Sequence, residues 1–187
     1  MEIGKNIKGN ICVAKLMHTA WVMLSILGMM VLYTSCAEDP TPYDVIAKAY
    51  SNGKPALIYT YVGQGDKMKK IAETEFYISG QMKRESHYLN DTLHGPEMHW
   101  YDNGQLQFSE FYFHGKKDST STFWFEDGTK GSESFYIKGN LQGKSTTWFE
   151  NGDVSTEAYH DHGKYEGAFK RWYGNGQLMQ EGSHRND

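Results

Sequence analysis

Beyond residue 36 this chain has no cysteine: its two thiols are Cys12 and Cys36, in a sequence of 187 residues. Disulfides therefore do not staple the fold, and Cys-ligated zinc, iron–sulfur clusters and cysteine nucleophiles are excluded from the last 151 residues. Proline is scarce, and two of the four sit together as Pro40 and Pro42, where they mark a tether and not a sheet. Basic charge is also short. The 19 Lys and Arg against 23 Asp and Glu give a net −4, and the first 36 residues hold three of the bases (Lys5, Lys8, Lys15) and one acid (Glu2). The last 151 residues carry 16 basic and 22 acidic side chains, a net −6 that argues against nucleic acid as a partner. No Gly-rich phosphate loop precedes a helix and no Ser-His-Asp arrangement stands out, so the chain reads as no enzyme, with no cofactor and no metal. What it has in quantity is aromatic side chains, 14% of residues, and 20 glycines, a mixture that favours strands and turns.

The N-terminus reads as an address. Three lysines precede an apolar run over residues 20–33, broken only by Ser25 and Gly28, which ends at Thr34-Ser35-Cys36. A basic region, an apolar stretch shorter than the roughly 20 residues of a membrane span, and small residues at a boundary describe a secretory signal. The small-small-Cys ending resembles a bacterial lipoprotein signal, in which the cysteine becomes the lipid-modified first residue. Cys36 would then be the anchor, and the chain would sit in the bacterial cell envelope, on the outer membrane, cell surface or periplasmic face. An uncleaved anchor helix over residues 17–33 is the alternative and puts the same domain beside an inner membrane. Residues 37–48 are read as a solvated tether, acidic and Pro-containing at its start.

Against itself at a step of 24, the chain aligns Gly80, Gly104, Gly128, Gly152 and Gly176, preceded by Ser79, Asn103, Asp127, Asn151 and Asn175. Four residues before each glycine stand Phe76, Trp100, Trp124, Trp148 and Trp172, followed by Tyr77, Tyr101, Phe125, Phe149 and Tyr173. Half a period away, Gly115, Gly139 and Gly163 align with Asp91, and Gly95, Gly143 and Gly167 with Ser119. Each unit thus holds two turn signals and two strand-length segments, such as 106–113, 132–137 and 154–160. The Asn-Gly and Asp-Gly pairs are expected to supply the positive φ angles of tight hairpins, and 114–119, 138–143 and 162–167 to form longer polar loops. Adjacent Trp and Tyr or Phe must face opposite sides of a strand, so both faces of the sheet carry aromatic rows. The expected fold is all-β, an elongated single-layer antiparallel β-meander of tandem 24-residue hairpin repeats. It comprises a divergent first repeat over 49–75, with three extra residues and strands near 57–62 and 70–75, then 76–99, 100–123, 124–147, 148–171 and a truncated 172–187.

The segments Trp-Tyr-Asp-Asn-Gly-Gln-Leu (100–106), Trp-Phe-Glu-Asn-Gly (148–152) and Trp-Tyr-Gly-Asn-Gly-Gln-Leu (172–178), with His-Gly-Lys at 114–116 and 162–164, resemble the bacterial variant of the MORN repeat. Its glutamate is matched by Glu85, Glu133, Glu157 and Glu181, with Ser109 departing. The resemblance implies protein–protein and sometimes membrane association, with another protein as partner. Many bacterial variants carry an antitoxin label, which gives an intracellular binding protein as the alternative; a cell-wall or lipid-binding repeat is a further rival. The aromatic pairs Trp100/Tyr101, Trp124/Phe125, Trp148/Phe149 and Trp172/Tyr173 are the candidate binding or framework residues, framework packing explaining them first. His160-Asp161-His162 offers two imidazoles on one side of an extended segment, but His162 fills a column that needs only a polar residue before a turn glycine. The glutamate column is expected to pair with Lys or Arg across strands.

Overall fold

A computed structural model describes residues 41–185. The leader, Cys36, the start of the tether and the last two residues of the truncated repeat lie outside the described residues. The strands are β1 (Tyr43–Ala49), β2 (Pro55–Val62), β3 (Lys69–Phe76), β4 (Met82–Leu89), β5 (Thr92–Trp100), β6 (Leu106–Phe113), β7 (Lys116–Lys117), β8 (Ser119–Trp124), β9 (Lys130–Ile137), β10 (Asn140–Leu141), β11 (Gly143–Trp148), β12 (Val154–Asp161), β13 (Lys164–Trp172) and β14 (Leu178–His184). All belong to one antiparallel sheet that follows chain order, with β7 pairing β6 and β10 pairing β9 beside the main path. This is the single-layer meander expected. Twelve strands on the path, about 4.8 Å apart, make a ribbon about 53 Å long.

The two kinds of turn are reversed from expectation. At each Asn-Gly or Asp-Gly site only the glycine takes a positive φ, for example +84° at Gly104. Gly104 N–H donates to the Tyr101 carbonyl at 2.9 Å and Tyr101 N–H donates to the Gln105 carbonyl at 2.9 Å, closing a three-residue loop. Asn103 contributes through its side chain, whose Oδ1 accepts from Gln105 N–H at 2.8 Å; Asp127, Asn151 and Asn175 do the same two residues on. The two-residue hairpins lie instead at the half period, where Asn90-Asp91, His114-Gly115, Lys138-Gly139 and His162-Gly163 each hold two consecutive positive φ angles. The segments expected to be long loops are therefore strand, entered through a tight turn and then kinked by a bulge at Gly95, Ser119, Gly143 or Gly167. A second correction concerns residues 43–48 of the tether: Tyr43 to Ala49 pair with β2, because Tyr43, Val45 and Ile46 suit a strand and Pro42 stands just outside it. The three extra residues of the first repeat lie at 63–68, where a 3₁₀ turn at Gly65–Lys67 replaces the two-residue hairpin.

Among the described residues the buried hydrophobic side chains are Ala56, Ala72 and Ala158 alone. Neighbouring repeats are tied at both rims instead. On one rim, Tyr50 Oη donates to the Phe76 carbonyl, Tyr77 Oη to that of Trp100 and Tyr101 Oη to that of Trp124, at 2.7, 2.8 and 2.8 Å. On the other, the turn glycines Gly115, Gly139 and Gly163 donate N–H to the carbonyls of Leu93, Lys117 and Leu141 in the preceding repeat, at 2.8, 2.7 and 2.9 Å.

Ser119 holds a φ of +75° in the bulge column where three other repeats use glycine. A left-handed residue with a Cβ costs about 1–2 kcal/mol. Ser119→Gly is expected to raise the stability of the protein by about 1 kcal/mol and Gly143→Ala to lower it by a similar amount, read as shifts in the urea midpoint.

Candidate functional site

The register sorts the side chains onto two faces. On the front, residues at the middle of each strand form two columns with the 24-residue step: Glu73, Glu97, Ser121, Ser145 and Phe169, and Ser86, Glu110, Ser134, Ala158 and Gly182. The first half of the front is thus acidic along its midline and the second half small and neutral. Glu97 stands directly opposite Glu110 on adjacent strands, and the two are 8% and 7% exposed. Two like charges so placed repel, and each needs its own cation or donor.

Both are fully supplied. Glu97 Oε1 accepts from Ser86 Oγ at 3.2 Å and lies 3.4 Å from His99 Nε2 and 3.8 Å from Arg84 Nη1. The His99 hydrogen bond, working against burial and aided by Ser86, holds the Glu97 carboxyl below its usual range. Glu110 accepts from Tyr112 Oη at 2.7 Å, from Ser121 Oγ at 3.0 Å and from the Lys117 ammonium. Burial, then the Glu110 bond, pushes the Tyr112 phenol up. Further along, Arg84 Nη2 bridges Glu73 and Glu75 at 2.7 and 2.6 Å, and Lys70 meets Glu73 at 3.0 Å. Burial alone would lower the Lys70 ammonium, yet the Glu73 hydrogen bond and the charge interactions with Tyr88, Glu73 and Tyr59 hold it above its ordinary value; its Nζ also lies 4.1 and 5.0 Å from the Tyr88 and Tyr59 ring centres. Lys117 sits in the same manner 5.8 Å from the Phe108 ring and 5.5 Å from that of Tyr136. Beside Lys117 a groove of about 460 Å³ is lined by Phe108, Phe123 and Tyr112 together with Glu97, His99 and Glu110. With each acid hydrogen-bonded or ion-paired in place, the strip presents a surface of mixed charge and aromatic rings.

The sequence-derived candidates are distributed along one rim and not gathered at this strip. Trp100, Trp124, Trp148 and Trp172 end their strands half-buried; Lys130 Nζ lies 5.6 Å over the Trp148 ring on the back. Tyr101, Phe125, Phe149 and Tyr173 open the turns on the front, where the Phe125 ring lies 5.3 Å from that of Phe123. Tyr101 ties the next repeat through its hydroxyl; Phe125 and Phe149 lack that group, and Tyr173 is exposed. In the glutamate column Glu157 pairs across strands with Lys144 at 2.5 Å and Glu181 with Lys170 at 3.4 Å, while Glu133 meets Lys130 and Glu85 meets His87 on their own strands. His160 and His162 do not converge. His160 is buried, 3.3 Å from Ser145 Oγ and with its ring 4.7 Å from that of Tyr165, whereas His162 lies exposed in a turn beside Asp161. Among the described residues no three His, Cys, Asp or Glu are grouped to hold a metal.

The midline acids were within reach of the sequence, since Glu73 and Glu97 are one 24-residue step apart and Glu110 stands one step after Ser86 in the companion column. Which of the strand residues pair face to face required the register, because the bulges change which side a residue takes.

Two segments, residues 93–114 and 165–186, match the MORN repeat variant family, and their starts are three periods apart. Each begins at the strand after a two-residue hairpin, so the family's unit is framed as strand, three-residue turn and strand. MORN repeats are in general modules that bind proteins or membranes, and typically non-catalytic. No curated protein matches the chain.

Tyr101→Phe is expected to cost about 1 kcal/mol and Phe125→Tyr, whose new hydroxyl meets the Trp148 carbonyl, to gain a similar amount, measured by urea unfolding. His160 supplies a pH dependence. Burial, against a hydrogen bond with the Gly143 backbone, holds its imidazolium pKa below 6.5. The unfolded chain then takes the proton first, so stability falls as the pH drops below about 6.5 and levels off once folded His160 also protonates. His160→Gln should flatten that part of a urea-midpoint series between about pH 7.5 and 5.

Proposed function

We propose that this protein is a non-catalytic binding module of the cell envelope, held at a membrane through lipidated Cys36 or an uncleaved N-terminal helix, that docks another protein along the front strip from β3 to β8. The observation that carries the reading is the strip itself: paired acids and cations with aromatic walls, on a face that nothing else among the described residues covers. Its charges are already satisfied by one another, which lets a polar partner be met without leaving a buried charge unpaired. The leader supports the address, and the repeat type supports binding over catalysis.

The test is a crosslinked capture from membranes of cells producing the full chain. Wild-type protein should take up labelled fatty acid and retain one specific protein. His99→Ala with Phe108→Ser, both partly exposed, should reduce that capture at least tenfold without loss of the sheet signature in circular dichroism. Cys36→Ala should abolish the lipid label. Capture unaffected by the strip variants refutes the docking surface, and unlabelled wild-type protein refutes the lipid anchor.

A further inference from the structure

On the back face six large apolar side chains stand 41–51% exposed in two neighbouring rows: Phe111, Phe135 and Tyr159 in one, Leu89, Phe113 and Ile137 in the other. They rise from alternate strands on the sheet path, β4, β6, β9 and β12. Smaller residues stand opposite four of them, Pro96 against Phe111, Thr120 against Phe135, Thr92 against Leu89 and Asn140 against Ile137, while Lys116 stands opposite Phe113. Opposite Tyr159 stands Lys144, whose amino group is drawn to Glu157. The back is therefore corrugated, with apolar ridges about 10 Å apart over a distance of about 30 Å and shallower troughs between them.

This corrugation is a consequence of the repeat: one ridge per 24 residues, because each unit gives two strands, one bearing the large exposed residues and the other ending at the opposite rim in a half-buried Trp. A surface fills such troughs along its whole length only if it has ridges of the same spacing. Another copy of this face has that spacing. We infer that two copies of the chain pack back to back, the ridges of each entering the troughs of the other, so that the single layer becomes a two-layer sandwich with sheets about 10 Å apart. Half-exposed side chains of this size each leave on the order of 100 Å² uncovered, so the six offer about 600 Å² per copy. Doubled, that reaches the lower edge of a specific interface, which fits a weak and reversible dimer. The front strip is not involved.

To test it, p-benzoylphenylalanine is placed at position 135 in the full chain and irradiated in producing cells, with the same probe at Ser134 reporting from the front of the same strand. The expected product is a covalent species of twice the chain's mass, containing this chain's peptides only, at least tenfold more abundant from position 135 than from 134. A second copy with Phe111→Glu and Phe113→Glu should reduce it at least tenfold. Should that variant fail to fold, the contrast between 134 and 135 still decides. No dimer from 135, equal yields from both sites, or adducts at 135 with lipid or with a different protein would overturn the inference. A different protein captured through the front strip is read separately, by the His99 and Phe108 variants.

Discussion

The bond between one repeat and the next takes the place of a core. A single sheet with three buried alanines as its apolar interior has no dry centre to gather around, so each unit is fixed by what it shares with its neighbours. The backbone ladder supplies most of this. The rims add to it: tyrosine hydroxyls reach forward to a strand-end carbonyl on one side, and turn-glycine amides reach back to the preceding repeat on the other. Each such bond contributes only about 1 kcal/mol, but a bond repeated at every period accumulates with length. The 24-residue step is thus a mechanical requirement, since a turn glycine out of step would leave its amide and the carbonyl below it unpaired.

The same constraint explains the midline of the front face. With no second layer among the described residues, side chains bury only between neighbouring strands, and here those buried are serine, glutamate, threonine and histidine along with alanine. Polar burial is tolerable because each carboxylate finds a cation, a hydroxyl or both on an adjoining strand. The arrangement also gives the sheet direction: the acidic half and the small neutral half present different chemistry although they share one backbone pattern. A uniform array becomes a specific surface through substitution within its columns.

The period, the all-β class, the single layer and the placing of Trp and Tyr on opposite faces were legible in the sequence, because glycine at a turn and aromatic residues at a strand end are local demands that every unit repeats. The roles of the two turns were not. Asn-Gly is the ordinary mark of a two-residue hairpin, yet here its asparagine caps a three-residue loop through its side chain, while His-Gly, Lys-Gly and Asn-Asp adopt the two-residue form. The difference lies in how many backbone pairs close on each side of the turn, a property of two strands together and not of the dipeptide. The opposition of Glu97 and Glu110 was hidden for a related reason, since bulges on alternate strands shift the register.

By itself the sequence determined that this chain is a hairpin array, what its period is and which residue types recur at each step, since these depend on φ angles and strand alternation within a few residues. Only the tertiary structure decided which columns meet across strands, which acids acquire partners and which apolar rows stand uncovered. Those depend on register, and register is set jointly by neighbouring hairpins, each of which fixes the offset that the next must accept.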